Sequence, residues 1–418
     1  MRRAAHRFGL LGLGNVGKNV LLESIATGVQ FRFHWFADSN RIITKRDYGA
    51  FTSSEIRELV RVKEKFPNTF GSKYQERTSA LIREFHSPSE ETEILETLIS
   101  DPKDNWIIID TTSAGARANY KIVSGAMGCL SYCTANKSPW ADYKLCVDLY
   151  RMAEKSQTLL GLNCTAGVWL DQMDILPILM QRLVSGCIVI LKRDNPSLNI
   201  FFEKVGKGKK IDQALYEIAR GGYLEPGATD LLPEVRDQVV KANIAVNICG
   251  IIRNRVPSQV IESSWGRTLE SLDPPNLADW HLRGRKKGMY PALITLIHVD
   301  ADHGEIHSRV GFEDLPRGHP LAEDFDRKNV ISIQASSDAK FNWSCAIIHG
   351  RRGSFVHAGR GGALVTARKL LHESKRAIVL SRCTPPPNAV FSPLPILCGL
   401  TCGRRDAIGL EREIARTL

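Results

Sequence analysis

Residues 221–241 read GGYLEPGATDLLPEVRDQVVK and gather ionisable groups at spacings that suit proton chemistry. Asp237 and Lys241 stand four residues apart, so a helix across them puts both head groups on one face. Such a pair is either a solvated surface pair or a proton donor beside the carboxylate that orients it. Glu225 and Asp230 lie just upstream. A second lysine, Lys137, closes the run Thr134-Ala135-Asn136-Lys137. At the end of a sheet strand it would reach a ligand held beyond the carboxyl edge.

The third chemical feature is a loop for phosphates. Gly12-Leu13-Gly14-Asn15-Val16-Gly17 follows an apolar strand and opens a helix. The first glycine permits the tight turn, the second lets the backbone approach a pyrophosphate, and the third lets the helix pack on the sheet. The helix N-terminus then offers N–H groups and a positive dipole end. Asp38 ends the second strand, where an acid receives a ribose 2′-OH. Asp38 favours NAD. Arg41, Lys45 and Arg46 follow as a basic loop that would pair with the 2′-phosphate of NADP, so the choice between NADP and NAD stays open. Thr112 and Ser113, in Asp110-Thr111-Thr112-Ser113, end a further strand on the same edge.

Positioning these groups requires a sheet. HRFGLLGLG, VQFRFHWFADSN, NWIIID and CLSYCT read as strands, with helices NVGKNVLLESIA, ANYKIVSGAMG and YKLCVDLYRMAEK between or after them. Residues 53–100, including TSALIREF, read as helices. This alternation predicts an α/β fold with a Rossmann-type doubly wound parallel sheet over residues 1–155. A mixed α+β substrate and dimerisation region follows. Its catalytic part is expected over 156–290, and antiparallel strands with a return helix to the first domain over 291–373. From 374 to 418 the periodicity dissolves, which predicts an atypical tail.

Composition narrows the function classes. The net charge is +11, but twelve Lys/Arg against four Asp/Glu fall in residues 349–418, and no basic stripe with interleaved aromatics accompanies them. Nucleic acid is therefore not an expected partner. No apolar run approaches the ~18 to 20 residues of a membrane span, and the basic MRRAAHRF leaves no room for a signal segment, so a cytoplasmic protein is expected. Ten cysteines at irregular spacing read as thiols of a reducing compartment.

The ordered set of GxGxxG, DTTSA, TANK, GYLEP with a downstream D-x-x-x-K, HPLA and GGALVTA resembles homoserine dehydrogenase in its short, monofunctional form, from about residue 7 to 373. The resemblance implies a homodimer that interconverts L-homoserine and L-aspartate 4-semialdehyde with NADP or NAD, in threonine, methionine and isoleucine biosynthesis. It implies that Gly12, Leu13, Gly14, Asn15, Val16, Gly17, Asp38, Thr112, Ser113 and Lys137 bind the cofactor. Glu225, Asp230 and Ser197 would bind substrate, with Lys241, Asp237 and Lys137 catalytic. A monovalent-cation position would fall near Thr165 and Gly167. Where such proteins carry a G-I-x-N/S-G-T loop, this chain has Asp194-Asn195-Pro196-Ser197. The alternatives are another NAD(P)-dependent amino-acid oxidoreductase or a non-catalytic dinucleotide-binding relative.

Overall fold

The computed structural model describes residues 6–27, 31–67, 70–78, 80–99, 105–166, 173, 176–177, 180, 185–193, 195–221, 224, 230–258, 261–262, 273–317, 319, 321–322, 329–337, 341–349 and 361–380. The chain divides into two compact units, Met1–Thr165 with Ala363–Leu418, and Ala166–Gly362.

The first unit is built on a seven-stranded sheet. Its strands are β1 (His6–Leu11), β2 (Phe33–Asp38), β3 (Arg41–Lys45), β4 (Ala80–Glu84), β5 (Asn105–Asp110), β6 (Ser131–Thr134) and β7 (Leu159–Gly161), in the order β4-β3-β2-β1-β5-β6-β7. β2, β1, β5, β6 and β7 run parallel. Their apolar runs show why: from Trp106 to Asp110, β5 is buried at every residue, as a strand covered on both faces must be. The chain leaves β1 toward β2 and later returns on the other side at β5. The carboxyl ends of β1 and β5 therefore flank the topological switch point, where ligands of such sheets bind.

Helices cover this sheet with amphipathic faces. Tyr143–Ser156 buries Cys146, Leu149, Tyr150 and Ala153, and Asp142 caps it by accepting from the Leu145 N–H. Ser53–Lys65 opens on a capping box made by Thr52 and Glu55. The terminal helix Gly361–Leu380 belongs to this unit. Arg368 bonds Glu23, and the buried Glu373 accepts from the Asn163 N–H at 3.0 Å.

Two local readings of the sequence are corrected. Arg41 and Lys45 sit on β3 rather than in a loop, and TSALIREF supplies β4 rather than a helix. Both strands are short and antiparallel, and each is specified by its neighbour's free edge more than by its own pattern. The terminal helix also runs on through Leu380, past the point where periodicity fades.

The second unit holds a six-stranded sheet, β13-β12-β8-β10-β11-β9. It is built from β8 (Cys187–Arg193), β9 (Ile261–Glu262), β10 (Tyr290–Asp300), β11 (Glu305–Leu315), β12 (Asn329–Ser337) and β13 (Phe341–His349). All pairings are antiparallel except β11 with β9. Helices Pro196–Gly206, Ile211–Arg220, Leu232–Arg253 and Pro274–Lys286 close one face around Phe201, Phe202, Trp280, Leu293 and Phe312. The opposite face carries a smaller cluster, Ala292, Ile294, Leu315, Leu321 and Ala322, part of it from the HPLA segment. Among the described residues no helix is long and apolar enough to cross a membrane.

Candidate active site

The glycine loop has the shape its composition predicts. Gly12 has φ +88°, a region that favours glycine. Its N–H donates to Ala37 O at 2.9 Å, and the Thr111 hydroxyl donates to its carbonyl at 2.8 Å. A Cβ on Gly17 would stand 2.0 Å from Gly12 O, so this glycine is required by the close packing of helix Asn15–Ala26 on the loop. A Cβ on Gly14 would meet nothing within 4 Å. Gly14 and Asn15 are exposed and Leu13 is buried, while Val16 is half-buried in the first helical turn. A tight turn, an open glycine and a helix N-terminus together fit a pyrophosphate.

Asp38 ends β2 as expected, and its carboxylate is paired with Lys63 from helix Ser53–Lys65. The Lys63 ammonium also lies 5.2 Å from the centre of the Phe70 ring. The other cations near this corner are engaged differently. Lys45 pairs with Glu55 at 3.3 Å, Arg41 bonds the Asn40 side chain at 3.0 Å, and Arg46 is exposed. Among the described residues the cation paired with Asp38 is therefore Lys63, which sequence spacing missed. Its helix lies far along the chain, and only the packing of that helix brings it to β2.

The ends of β5 and β6 are joined by a hydrogen-bond network centred on Asp110, which is fully buried. Its Oδ1 accepts from the Thr112 N–H at 2.9 Å and the Thr112 hydroxyl at 2.7 Å. Its Oδ2 accepts from the Tyr132 hydroxyl at 2.9 Å, the Thr134 hydroxyl at 2.8 Å and Asn119 Nδ2 at 3.4 Å. Asn136 Nδ2 in turn donates to Thr112 Oγ1 at 3.0 Å. Thr112 is thus locked, Ser113 is exposed beside it, and Lys137 follows Asn136 half-buried. Asp110 and Asn136 were visible in the sequence only as strand-end residues.

In the second unit the helix Leu232–Arg253 carries Asp237 and Lys241 on one face. Lys241 Nζ lies 2.7 Å from Asp237 Oδ2, and the two side chains are 13% and 19% exposed. Asp230 is exposed ahead of this helix and accepts from the Leu232 N–H at 2.9 Å. Ser197 is buried in the first turn of helix Pro196–Gly206. Asn195 caps that helix by accepting from the Leu198 N–H at 3.0 Å and donates through Nδ2 to Glu234 O at 2.8 Å. It thereby ties the two helix starts together. Pro196 takes the first helical turn, where a missing N–H costs nothing. Beneath, Gln238 donates to Thr295 Oγ1 at 2.7 Å, and Thr295 is paired across the sheet with the fully buried Lys192.

Glu225 and Gly167 lie outside the described residues. Thr165 is buried and its hydroxyl donates to Leu162 O at 2.7 Å. Among the described residues no group of three His, Cys, Asp or Glu side chains is gathered where it could hold a metal ion.

A doubly wound sheet with a glycine cradle, followed by an antiparallel sheet with helices on one face, defines a two-unit α/β fold. Solved structures of this fold include homoserine dehydrogenases. A hyperthermophilic archaeal homoserine dehydrogenase in complex with NADPH matches with TM-score 0.58 and 20% identity, over 90% of this chain and 98% of that one. The enzyme from Thiobacillus denitrificans matches with TM-score 0.58 and 17% identity, over 94% of this chain and 79% of that one. A Candida auris protein of unknown function matches with TM-score 0.63 and 19% identity, over 90% and 98%. At these identities the likeness is one of fold. No family model and no curated protein matches the chain.

Proposed function

We propose that the chain is an NAD(P)-dependent oxidoreductase that interconverts L-homoserine and L-aspartate 4-semialdehyde. The observation that carries this reading is the Asp237–Lys241 pair, mostly shielded from water on one helix of a fold whose solved members include homoserine dehydrogenases. A surface pair would be largely solvated and would contribute little.

The nicotinamide group, when bound, supplies or accepts the hydride at the substrate carbon. The chain's own residues do the rest. The N–H groups at Asn15 and Val16, with Gly14 open beside them, receive the pyrophosphate, and Thr112 and Ser113 flank the nicotinamide end. In the reducing direction Lys241 gives a proton to the aldehyde oxygen as it becomes an alkoxide, and solvent restores that proton. Asp237 keeps the ammonium charged and oriented. Asp230 and Glu225 receive the substrate's own ammonium, and Ser197 hydrogen-bonds its polar end. Lys137 contributes a second positive charge for the developing oxyanion.

The reading carries a cytoplasmic homodimer with it. Leu191 and Leu296, half-buried on the sheet face away from the helices, suit an interface between two copies. The test is oxidation of NADPH or NADH by the purified protein with L-aspartate 4-semialdehyde, followed by absorbance. Turnover that requires Lys241 is the expected result, and a folded protein inert with both cofactors defeats the reading. A second reading, a relative acting on another amino acid, draws on Pro196 and the buried Lys192 beside the substrate helix; a panel of amino-acid semialdehydes separates the two.

A further inference from the structure

We infer that Asp110 is a positioning residue for the nicotinamide end of the cofactor, acting through Thr112 and Asn136 on the two loops that end β5 and β6. The inference rests on the dehydrogenase reading above and adds a residue to which that reading gives no role.

An ionised carboxylate only accepts hydrogen bonds. Five donors from three separate places converge on Asp110: Thr112, the helix residue Asn119, and the β6 pair Tyr132 and Thr134. Because Asp110 cannot donate, the Thr112 hydroxyl must point its proton inward. Its lone pairs then face outward, where Asn119 Nδ2 and Asn136 Nδ2 donate to it at 3.1 and 3.0 Å. The amide of Asn136 meets these lone pairs in the sense that its backbone partners also require. Its nitrogen faces Thr112 and Ala114 O, and its oxygen accepts from the Ser138 N–H at 3.0 Å. The Thr134 hydroxyl likewise gives its proton to Asp110 and accepts from the Asn136 N–H at 2.9 Å. The Asp110 carboxylate therefore sets the direction of the Thr112 and Thr134 hydroxyls, and Ala114 O and the Ser138 N–H hold the Asn136 amide in the sense that meets Thr112.

A neutral amide at this place leaves the direction undetermined. In Asp110→Asn the hydroxyls of Tyr132 and Thr134 can turn to accept from the new amide, so the fold tolerates the change. The Thr112 hydroxyl can then turn its proton toward Asn136 Nδ2, which Ala114 O and the Ser138 N–H keep in place, and the bond from Asn136 to Thr112 is lost in that arrangement. The loops remain, but in more than one arrangement.

The experiment compares the affinities of NADPH and of 2′-phospho-ADP-ribose, which lacks the nicotinamide, by calorimetry on the full chain. Asp110→Asn and Thr112→Val are each expected to weaken NADPH at least five-fold and to leave 2′-phospho-ADP-ribose within two-fold. Thr112→Ser, which keeps the hydroxyl, is expected to match the unaltered protein. Equal losses for both ligands, or no loss for either, overturn the inference. If Asp110→Asn does not fold, the contrast between Thr112→Val and Thr112→Ser decides it. A parent protein that binds neither ligand defeats the dinucleotide reading itself, and that result is distinct from all of these.

Discussion

Lys241 Nζ lies 2.7 Å from Asp237 Oδ2 across one turn of the helix Leu232–Arg253. The pair is an internal device of that helix, so its geometry is set before any substrate arrives. On the proposed function, Lys241→Ala removes the proton donor and the charge that meets the alkoxide, and kcat is expected to fall about 10²- to 10⁴-fold. Asp237→Asn keeps the shape but loosens the ammonium, with an expected loss of about ten- to a hundred-fold. NADPH affinity, read by fluorescence titration, should stay within two-fold in both. Unchanged turnover in Lys241→Ala would remove that residue from the chemistry.

Gly14 and Gly17 separate binding from folding. A methyl on Gly14 meets open space, and the backbone there, at φ −72°, suits any residue. Gly14→Ala should therefore melt within a degree or two of the parent yet lose dinucleotide affinity about ten-fold or more, because the methyl occupies the pyrophosphate's approach. A methyl on Gly17 meets a backbone oxygen at 2.0 Å, so Gly17→Ala is expected to destabilise the unit by about 1–3 kcal/mol. Thermal melts with and without NADPH check both. A Gly14→Ala protein that binds normally would show that the phosphates lie elsewhere.

On the proposed dinucleotide reading, the Asp38–Lys63 pair bears on cofactor preference. Asp38 alone receives a ribose 2′-OH and repels a 2′-phosphate, whereas the Lys63 ammonium beside it offers the phosphate a charged donor. A charge-assisted bond of this kind contributes about 1.5–3 kcal/mol. Lys63→Ala should therefore raise KM for NADPH about ten-fold or more and change KM for NADH far less. Equal changes for the two cofactors would leave Lys63 as a support for Asp38 only.

The legible part of this chain was the part written in local pattern. β1, β5 and β6 are apolar runs ending in glycine or small polar residues, and the glycine loop follows from residue type alone. The Asp237–Lys241 spacing needed only a helix to become a pair. What stayed hidden depends on distant packing. β3 and β4 are too short to carry a period and exist because each offers the other an edge. Lys63 reaches Asp38 only when its helix packs beside β2. Asn195 caps a helix that is buried along most of its length and so has no polar face to mark it in the sequence. The Asp110 network depends on the register of β5 against β6, which places Asp110 directly beside Thr134.

Glu91, on helix Pro88–Ile99, gives the first unit a dependence on pH. It is 8% exposed, and burial first, then the negative charge of Asp110, push its carboxyl up from 4.5 to about 7. Between these two values the folded protein holds a proton that the unfolded chain has released. The stabilising contribution is therefore complete below about pH 4.5 and is lost as pH rises through 7. At about 1.4 kcal/mol per pH unit, the loss between pH 5 and pH 8 is on the order of 2–3 kcal/mol. Glu91→Gln is neutral throughout and should remove that loss. Urea unfolding at pH 5 and pH 8 is expected to show the variant gaining stability over its parent by about that amount at pH 8 relative to pH 5. A difference between the two proteins that is the same at both pH values would mean that Glu91 does not change its charge on folding, and the Asp110 network would then be insulated from it.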